Sequence, residues 1–320
     1  MKILVTGATG FIGRNLVKRL LLEKRYEIIC VARKTSKVDF LKRQGAKVVI
    51  GDISSFSDME WIFKEVRPDI VFHSAAKVSE ESESKLYDYN VTGTRNICQL
   101  CYVYKNKKLI YLSSVSVISG NLDVPLTEGL PYKATSSYGV SKIKAERIVE
   151  GYRAKGLKTA IFRPCMVYGE DEPHALNKIL RLTKLKRLPV LDISGMNSKL
   201  HLVYVGNVVE ALMLALTKEE AFTGTFMVAD KEVITLKRFV EIIYDELRGR
   251  YPPRVPRWLV NILMVFPPFR NKTLRIFKDR VYDITRAVDE LGYSPSMSTE
   301  EGLRLTVKHW AENRVCQSLK

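Results

Sequence analysis

Residues 3–6 form a short apolar run that passes directly into Gly7-Ala8-Thr9-Gly10-Phe11-Ile12-Gly13, and apolar residues then recur at helical spacing to position 22. A strand joined to a helix through a G-x-x-G-x-x-G turn leaves few folds open, because each glycine has a mechanical role there. Gly7 permits the tight turn, Gly10 lets the backbone approach a pyrophosphate, and Gly13 allows close packing of helix on strand. The helix N-terminus offers free N–H groups and partial positive charge to phosphates. Gly7, Thr9, Gly10, Phe11, Ile12 and Gly13 are therefore candidate dinucleotide contacts.

The pattern continues as strand-like runs at 27–32, 47–50, 69–73, 109–113 and 159–163, alternating with helical spacing at 57–65, 90–104 and 138–155. Such alternation predicts an α/β fold, a Rossmann-type doubly wound parallel sheet with helices on both faces and right-handed crossovers. After Pro164 the rhythm changes. Strands at 201–205 and 225–228 flank a helix at 207–217, and the remainder is mostly helical and punctuated by Pro252-Pro253 and Pro267-Pro268. The expected organisation is a dinucleotide-binding domain of 1–164 plus about 200–230, with a smaller, mostly helical substrate-binding domain of 165–199 plus 231–320.

Composition excludes several classes. With 46% hydrophobic and 27% charged residues among 320, the chain is neither disordered nor fibrous. No run reaches the ~18 apolar residues of a membrane span, and the apolar start is too short for a signal peptide. The five cysteines form no zinc pattern. Cys98 and Cys101, a C-x-x-C at helical spacing, read as half-buried structural thiols, so no metal site and a cytoplasmic, reducing location are expected. The formal charge of +17 favours anionic partners, and residues 248–280 carry nine cations against Asp279 alone. No nucleic-acid-binding module is recognisable, so a nucleic-acid partner is not expected.

The second strand ends Val31-Ala32-Arg33-Lys34, without the carboxylate that would accept bonds from a ribose 2′-OH. NADP is the expected cofactor, with Arg33 on its 2′-phosphate. NAD is the alternative, with Arg33 on the adenine or in solvent. Asp52 and Ile53 follow the third strand and suit the adenine edge. Ser74, Ala75 and Ala76 follow the fourth, where small side chains let the cofactor lie against the backbone.

Tyr138 and Lys142 open a helix at a spacing that places them on one face. A free phenol, pKa about 10, is a poor proton shuttle at neutral pH, and a neighbouring ammonium together with the charge of an oxidised nicotinamide lowers that value. Upstream, Leu112-Ser113-Ser114 ends a strand, where a serine can bond the reacting oxygen.

TGATGFIG, GDIS, FHSAAKVS, NVTGT, LSSVSV, YGVSK and RPCMVYG occur here in the order seen in the extended short-chain dehydrogenase/reductase family. The chain resembles that family, which includes nucleotide-sugar epimerases and dehydratases and 3β-hydroxysteroid dehydrogenase-like enzymes, over nearly its whole length. The resemblance implies an enzyme with Tyr138 as acid/base, Lys142 as its tuner and ribose anchor, and Ser114 as third member. Asn90 would brace the site, and Arg163-Pro164 would begin the segment lining the nicotinamide. Counting back from Gly120 puts the family's Ser/Thr on Val115, and only one extra residue moves it to Ser114; Ser113 is the alternative. The resemblance also implies a homodimer through the helices at 90–104 and 138–155.

Two substrate readings follow. The segment Lys199-Leu200-His201-Leu202-Val203-Tyr204-Val205-Gly206-Asn207 lacks the arginine that nucleotide-sugar members usually present there and looks like the hydroxysteroid branch. The apolar stretch 258–266 within the basic segment suits an anionic membrane surface. Both favour an NAD(P)-dependent oxidoreductase acting on a secondary alcohol or ketone of an apolar, sterol-, isoprenoid- or acyl-like substrate. The alternative is a nucleotide-sugar epimerase or dehydratase with tightly bound NAD, its diphosphate received by Lys178, Arg181, Lys184, Lys186 and Arg187.

Overall fold

A computed structural model describes residues 1–78, 82–106, 108–122, 124–173, 176, 179–180, 190–191, 197–247, 254–255 and 278–318. The chain divides into two compact units, Met1–Cys165 with Val208–Val228 and Asp283–Ser294, and Met166–Asn207 with Ala229–Tyr282 and Pro295–Lys320.

The first unit is built on strands β1 (Lys2–Thr6), β2 (Glu27–Ala32), β3 (Lys47–Ile50), β4 (Ile70–His73), β5 (Lys108–Leu112), β6 (Thr159–Pro164) and, later in the chain, β10 (Thr225–Val228). All pair in parallel, in the order β10-β6-β5-β4-β1-β2-β3. The central strands are buried along nearly their whole length, which is why they read as continuous apolar runs, whereas β3 at the edge is half exposed. Helices α1 (Phe11–Leu22), α2 (Asp39–Arg43), α3 (Phe56–Val66), α4 (Glu83–Leu86), α5 (Gly93–Val103) and α6 (Ser137–Ala154) connect them, and α9 (Thr285–Leu291) returns to this unit near the end.

Local chemistry sets the helix ends. Ser55 caps α3 by accepting from the Asp58 N–H, and Ser136 caps α6 by accepting from the Gly139 N–H at 3.1 Å, which places Tyr138 in the first turn of α6. The helix expected at 90–104 differs: α5 starts at Gly93, after a π-helical turn Tyr87–Thr92 that turns Asn90 inward. Cys98 and Cys101 are fully rather than half buried in α5, and burial pushes both thiols up, which makes them core residues.

The second unit holds β7 (Met166–Tyr168), β9 (Lys199–Tyr204) and β11 (Val233–Thr235), with β9 central, parallel to β7 and antiparallel to β11. β8 (Val190–Leu191) and β12 (Arg254–Val255) form a separate parallel pair. Helix α7 (Val205–Leu214) follows β9 and from Val208 belongs to the first unit, and in the second unit α8 (Leu236–Glu246) and α10 (Thr299–Ser318) pack against each other through Phe239, Ile242, Leu303 and Val307. Among the described residues no helix is long and apolar enough to cross a membrane, and no group of three His, Cys, Asp or Glu is placed to hold a metal ion.

Candidate active site

The chain order of the sheet reverses between β1 and β4, and a crevice opens beyond the carboxyl ends of strands at such a switch point. Thr6 ties its two walls together. Its carbonyl accepts from the Ser74 hydroxyl at 2.7 Å, and its Oγ1 accepts from the Ala75 N–H at 3.4 Å. Gly7 has φ +74°, and a Cβ there would lie 2.6 Å from the Ala75 nitrogen. A Cβ on Gly13 would run into the Gly7 carbonyl. Gly10 caps α1 and carries no side chain into the space before the helix, whose first turn has no acidic residue.

The resulting groove, about 320 Å³, is lined by Gly7, Thr9 and Gly10 from the turn, Val31, Ala32, Arg33 and Ser36 after β2, Gly51, Asp52 and Ile53 after β3, and Ser74, Ala75, Ala76, Lys77 and Tyr89. Glycines without room for a Cβ, a helix N-terminus without a carboxylate and cations at the rim together fit a dinucleotide. Phe11, Ile12 and Gly13 open α1 and are not among the residues that line the groove, and Pro164 is buried at the end of β6.

Tyr89 and Lys77 are groove residues that sequence reasoning missed. The Arg33 guanidinium and the Lys77 ammonium each lie 5.5 Å from the centre of the Tyr89 ring, and the Tyr89 hydroxyl donates to Asp52 Oδ2 at 3.3 Å. The only sequence signal was an aromatic immediately before Asn90.

Asn90 links the groove to α6. Its Oδ1 accepts from the Lys77 N–H at 2.8 Å, and its Nδ2 donates to the Lys77 carbonyl at 3.0 Å and to Ser141 Oγ at 2.9 Å. On α6, Tyr138 receives a hydrogen bond from Ser114. Ser114 Oγ also accepts from the Ser116 N–H at 3.2 Å, which orients it at the start of a 3-10 turn, Val115–Ile118. Ser113 Oγ is buried and has no partner among the described residues, and Val115 is buried inside the turn.

Lys142 lies one helical turn beyond Tyr138, 1% exposed, with Nζ donating to the Leu112 carbonyl at 2.7 Å and 4.3 Å from the centre of the Tyr111 ring. Burial pushes the Tyr138 phenol up to about 12, partly opposed by the bond from Ser114. Burial also pulls Lys142 down to about 7, partly opposed by Glu146. Desolvation disfavours the charged form of each group, and so works against the acidic phenol expected from a lysine and an oxidised nicotinamide together.

The basic run at 178 and 181–187 lies outside the described residues, as do 248–253 and 256–277 of the cationic segment, including the apolar stretch 258–266.

Over 98% of its length this chain is 28% identical to 97% of the UDP-glucose 4-epimerase of Vibrio cholerae. It is 25% identical to a decarboxylating sterol-4-alpha-carboxylate 3-dehydrogenase of Schizosaccharomyces pombe, over 95% of this chain and 96% of the relative. A crystal structure of UDP-glucose 4-epimerase with UDP-glucose from Thermotoga maritima superposes with a TM-score of 0.80 at 28% identity, covering 98% of this chain and 100% of that one. Residues 3–229 match the NAD dependent epimerase/dehydratase family. Because that match runs through the glycine turn, the serine-bearing strand and the tyrosine helix alike, the chain belongs to the NAD dependent epimerase/dehydratase family, among the extended short-chain dehydrogenases/reductases.

Proposed function

We propose that this protein is an NAD(P)-dependent oxidoreductase that interconverts a secondary alcohol and a ketone, with Tyr138 as acid/base. The observation that carries the reading is the hydrogen bond between half-buried Ser114 and Tyr138 beside Lys142, on a helix that Asn90 joins to the groove wall. A bound nicotinamide supplies or accepts the hydride at C4 and, when oxidised, adds a positive charge favouring phenolate. Ser114 and Tyr138 hold the reacting oxygen. In oxidation the Tyr138 oxygen takes the carbinol proton, and in reduction it returns one to the new alkoxide. A phenol at about 12 is protonated at neutral pH, the form that reduction requires. Oxidation therefore speeds up as pH rises and reduction slows. Tyr138→Phe is expected to lower turnover by about 10²–10⁴-fold while leaving cofactor binding nearly intact; retention of more than a few per cent of activity rejects the role.

The first unit is read as cofactor-binding and the second as substrate-binding. NADP is the proposed cofactor, supported by Arg33 at the groove rim after a strand that ends without a carboxylate. Arg33→Ala should raise KM for NADPH and spare NADH, and an unchanged KM for NADPH overturns the assignment. An apolar substrate is supported by β9, which has no arginine and in which both nitrogens of buried His201 are engaged. Nε2 lies 2.7 Å from the Asp230 carbonyl, and Nδ1 accepts from the Tyr282 N–H at 3.2 Å. The second reading, a nucleotide-sugar epimerase, is favoured by the UDP-glucose 4-epimerases among the relatives. Cofactor content of the purified protein separates the two. NAD retained through purification supports an epimerase, whereas a requirement for added, exchangeable cofactor supports a dehydrogenase.

A homodimer through α5 and α6 is also proposed; these helices pack together and leave Tyr102, Val103 and Val140 exposed, and sedimentation velocity tests it. Peripheral attachment to anionic membrane through the 248–280 segment is tested by vesicle co-sedimentation at low salt.

A further inference from the structure

Counting in fours along α6 from Tyr138 reaches Lys142 and then Glu146, and this spacing stacks side chains on one helical face. Lys142 is 1% and Glu146 0% exposed. Two ionisable groups one turn apart inside a core require compensating partners.

The surroundings of Lys142 are otherwise uncharged. From β5 it meets the Leu112 carbonyl and the Tyr111 ring, and burial keeps Tyr111 a phenol. From β4, His73 has its ring nitrogens 2.7 Å from Thr6 Oγ1 and 3.0 Å from Thr94 Oγ1. Burial and the Lys142 ammonium push His73 down to about 3, so it is neutral. On α6 itself Tyr138 is a phenol. Among the described residues, Glu146 is the one opposite charge that acts on Lys142.

Glu146 is itself clamped. Arg163 on β6 donates from Nη2 to Oε2 at 2.6 Å and from Nε to Oε1 at 3.0 Å, and the Tyr132 hydroxyl donates to Oε2 at 2.8 Å. Arg163 is held in turn by the Glu128 carbonyl at 3.2 Å and lies 5.4 Å from the centre of the Tyr132 ring.

We propose that Glu146 is a positioning residue of the active site: fixed by Arg163 and Tyr132, its carboxylate favours the ammonium form of Lys142 against the cost of burial, and so supports the cation that Tyr138 needs for proton transfer. The inference rests on the reading of Tyr138 and Lys142 given above. A purely structural ion pair would hold β6 to α6 and leave the charge of Lys142 alone.

The test is a pH titration of the whole protein labelled with [13Cε]lysine. The Lys142 resonance is identified by its loss in Lys142→Met, and it is expected to titrate well below the other lysines. Glu146→Gln removes the anion, so the ammonium is destabilised and the midpoint falls by about one pH unit or more. That variant leaves Arg163 buried without its partner and can fail to fold. Glu146→Gln combined with Arg163→Met removes the orphan charge as well, and is expected to shift the midpoint in the same direction. The limb of the pH–rate profile that follows Lys142 moves with it. An unchanged Lys142 midpoint in either folded variant overturns the proposal, even if thermal stability drops. The titration needs no turnover, so an active Tyr138→Phe enzyme would sink the catalytic reading while leaving this result standing.

Discussion

Glu146 in the first unit and Asp230 in the second are both wholly buried carboxylates, yet they are satisfied by different chemistry. Glu146 faces the Arg163 guanidinium and a tyrosine hydroxyl, with a lysine one helical turn away. Asp230 is surrounded by neutral donors. Its Oδ1 accepts from the Tyr204 N–H at 2.8 Å and Asn207 Nδ2 at 2.7 Å, and its Oδ2 from the Tyr168 hydroxyl at 2.9 Å and Thr299 Oγ1 at 3.1 Å. Burial raises the Asp230 carboxyl above its ordinary value, and those four donors only partly oppose the rise. Dipoles fix where a carboxylate lies, and here they join β9 to the start of α10. A cation also fixes its charge, which a neighbouring group can then use. The Asp230 arrangement suits a structural hub and the Glu146 arrangement a tuned site.

The largest expected effect tests that contrast directly. Arg163→Met leaves Glu146 buried without its cation and should cost about 3–5 kcal/mol of stability. Asp230→Asn removes a charge that has no ionic partner among its described contacts, and should cost about 1–3 kcal/mol through mismatched donors. Urea denaturation of both variants decides it, and the distinction fails if Arg163→Met is the milder change. The two also differ in pH dependence. A carboxyl raised on folding contributes stability that is fully present below its unfolded value and is lost as pH rises through the higher folded value. Asp230→Asn should therefore remove a component of stability that declines as pH climbs from about 3.8.

Much of this was legible in the amino-acid order, because central parallel strands buried on both faces must be continuous apolar runs, and a phosphate cradle must have glycine where a Cβ would strike backbone. The same logic located Tyr138 and Lys142 on one face of α6. Spacing could not choose among Ser113, Ser114 and Val115, since the choice depends on the 3-10 turn that starts after Ser114 and takes Val115 into the core. Tyr89 was hidden because the π-helical turn, which does not follow ordinary helical spacing, sets its direction. The tie between Glu146 and Arg163 joins a helix to a strand and leaves no periodic trace. The desolvation of Tyr138 and Lys142 was not legible because it depends on what the rest of the chain packs over them, which neither spacing nor residue type reports.

A smaller pair of substitutions sharpens the contrast by removing one hydroxyl from each carboxylate. Tyr132→Phe deletes the donor to Glu146 and its second bond, to Glu150 Oε1 at 2.9 Å, but the Arg163 contacts to Glu146 remain. Thr299→Val deletes one of the two donors to Asp230 Oδ2 and leaves no cation behind. Each should cost about 0.5–1.5 kcal/mol near neutral pH. The difference lies in the pH profile. Losing a donor disfavours the Asp230 carboxylate further, so in Thr299→Val its folded value rises again and stability falls more steeply with increasing pH above about 3.8. In Tyr132→Phe the guanidinium still holds Glu146, so the loss should be nearly the same at every pH. Urea midpoints measured from mildly acidic to neutral pH read both slopes. Parallel profiles for the two variants would mean that Arg163 does no more for its carboxylate than neutral dipoles do for Asp230.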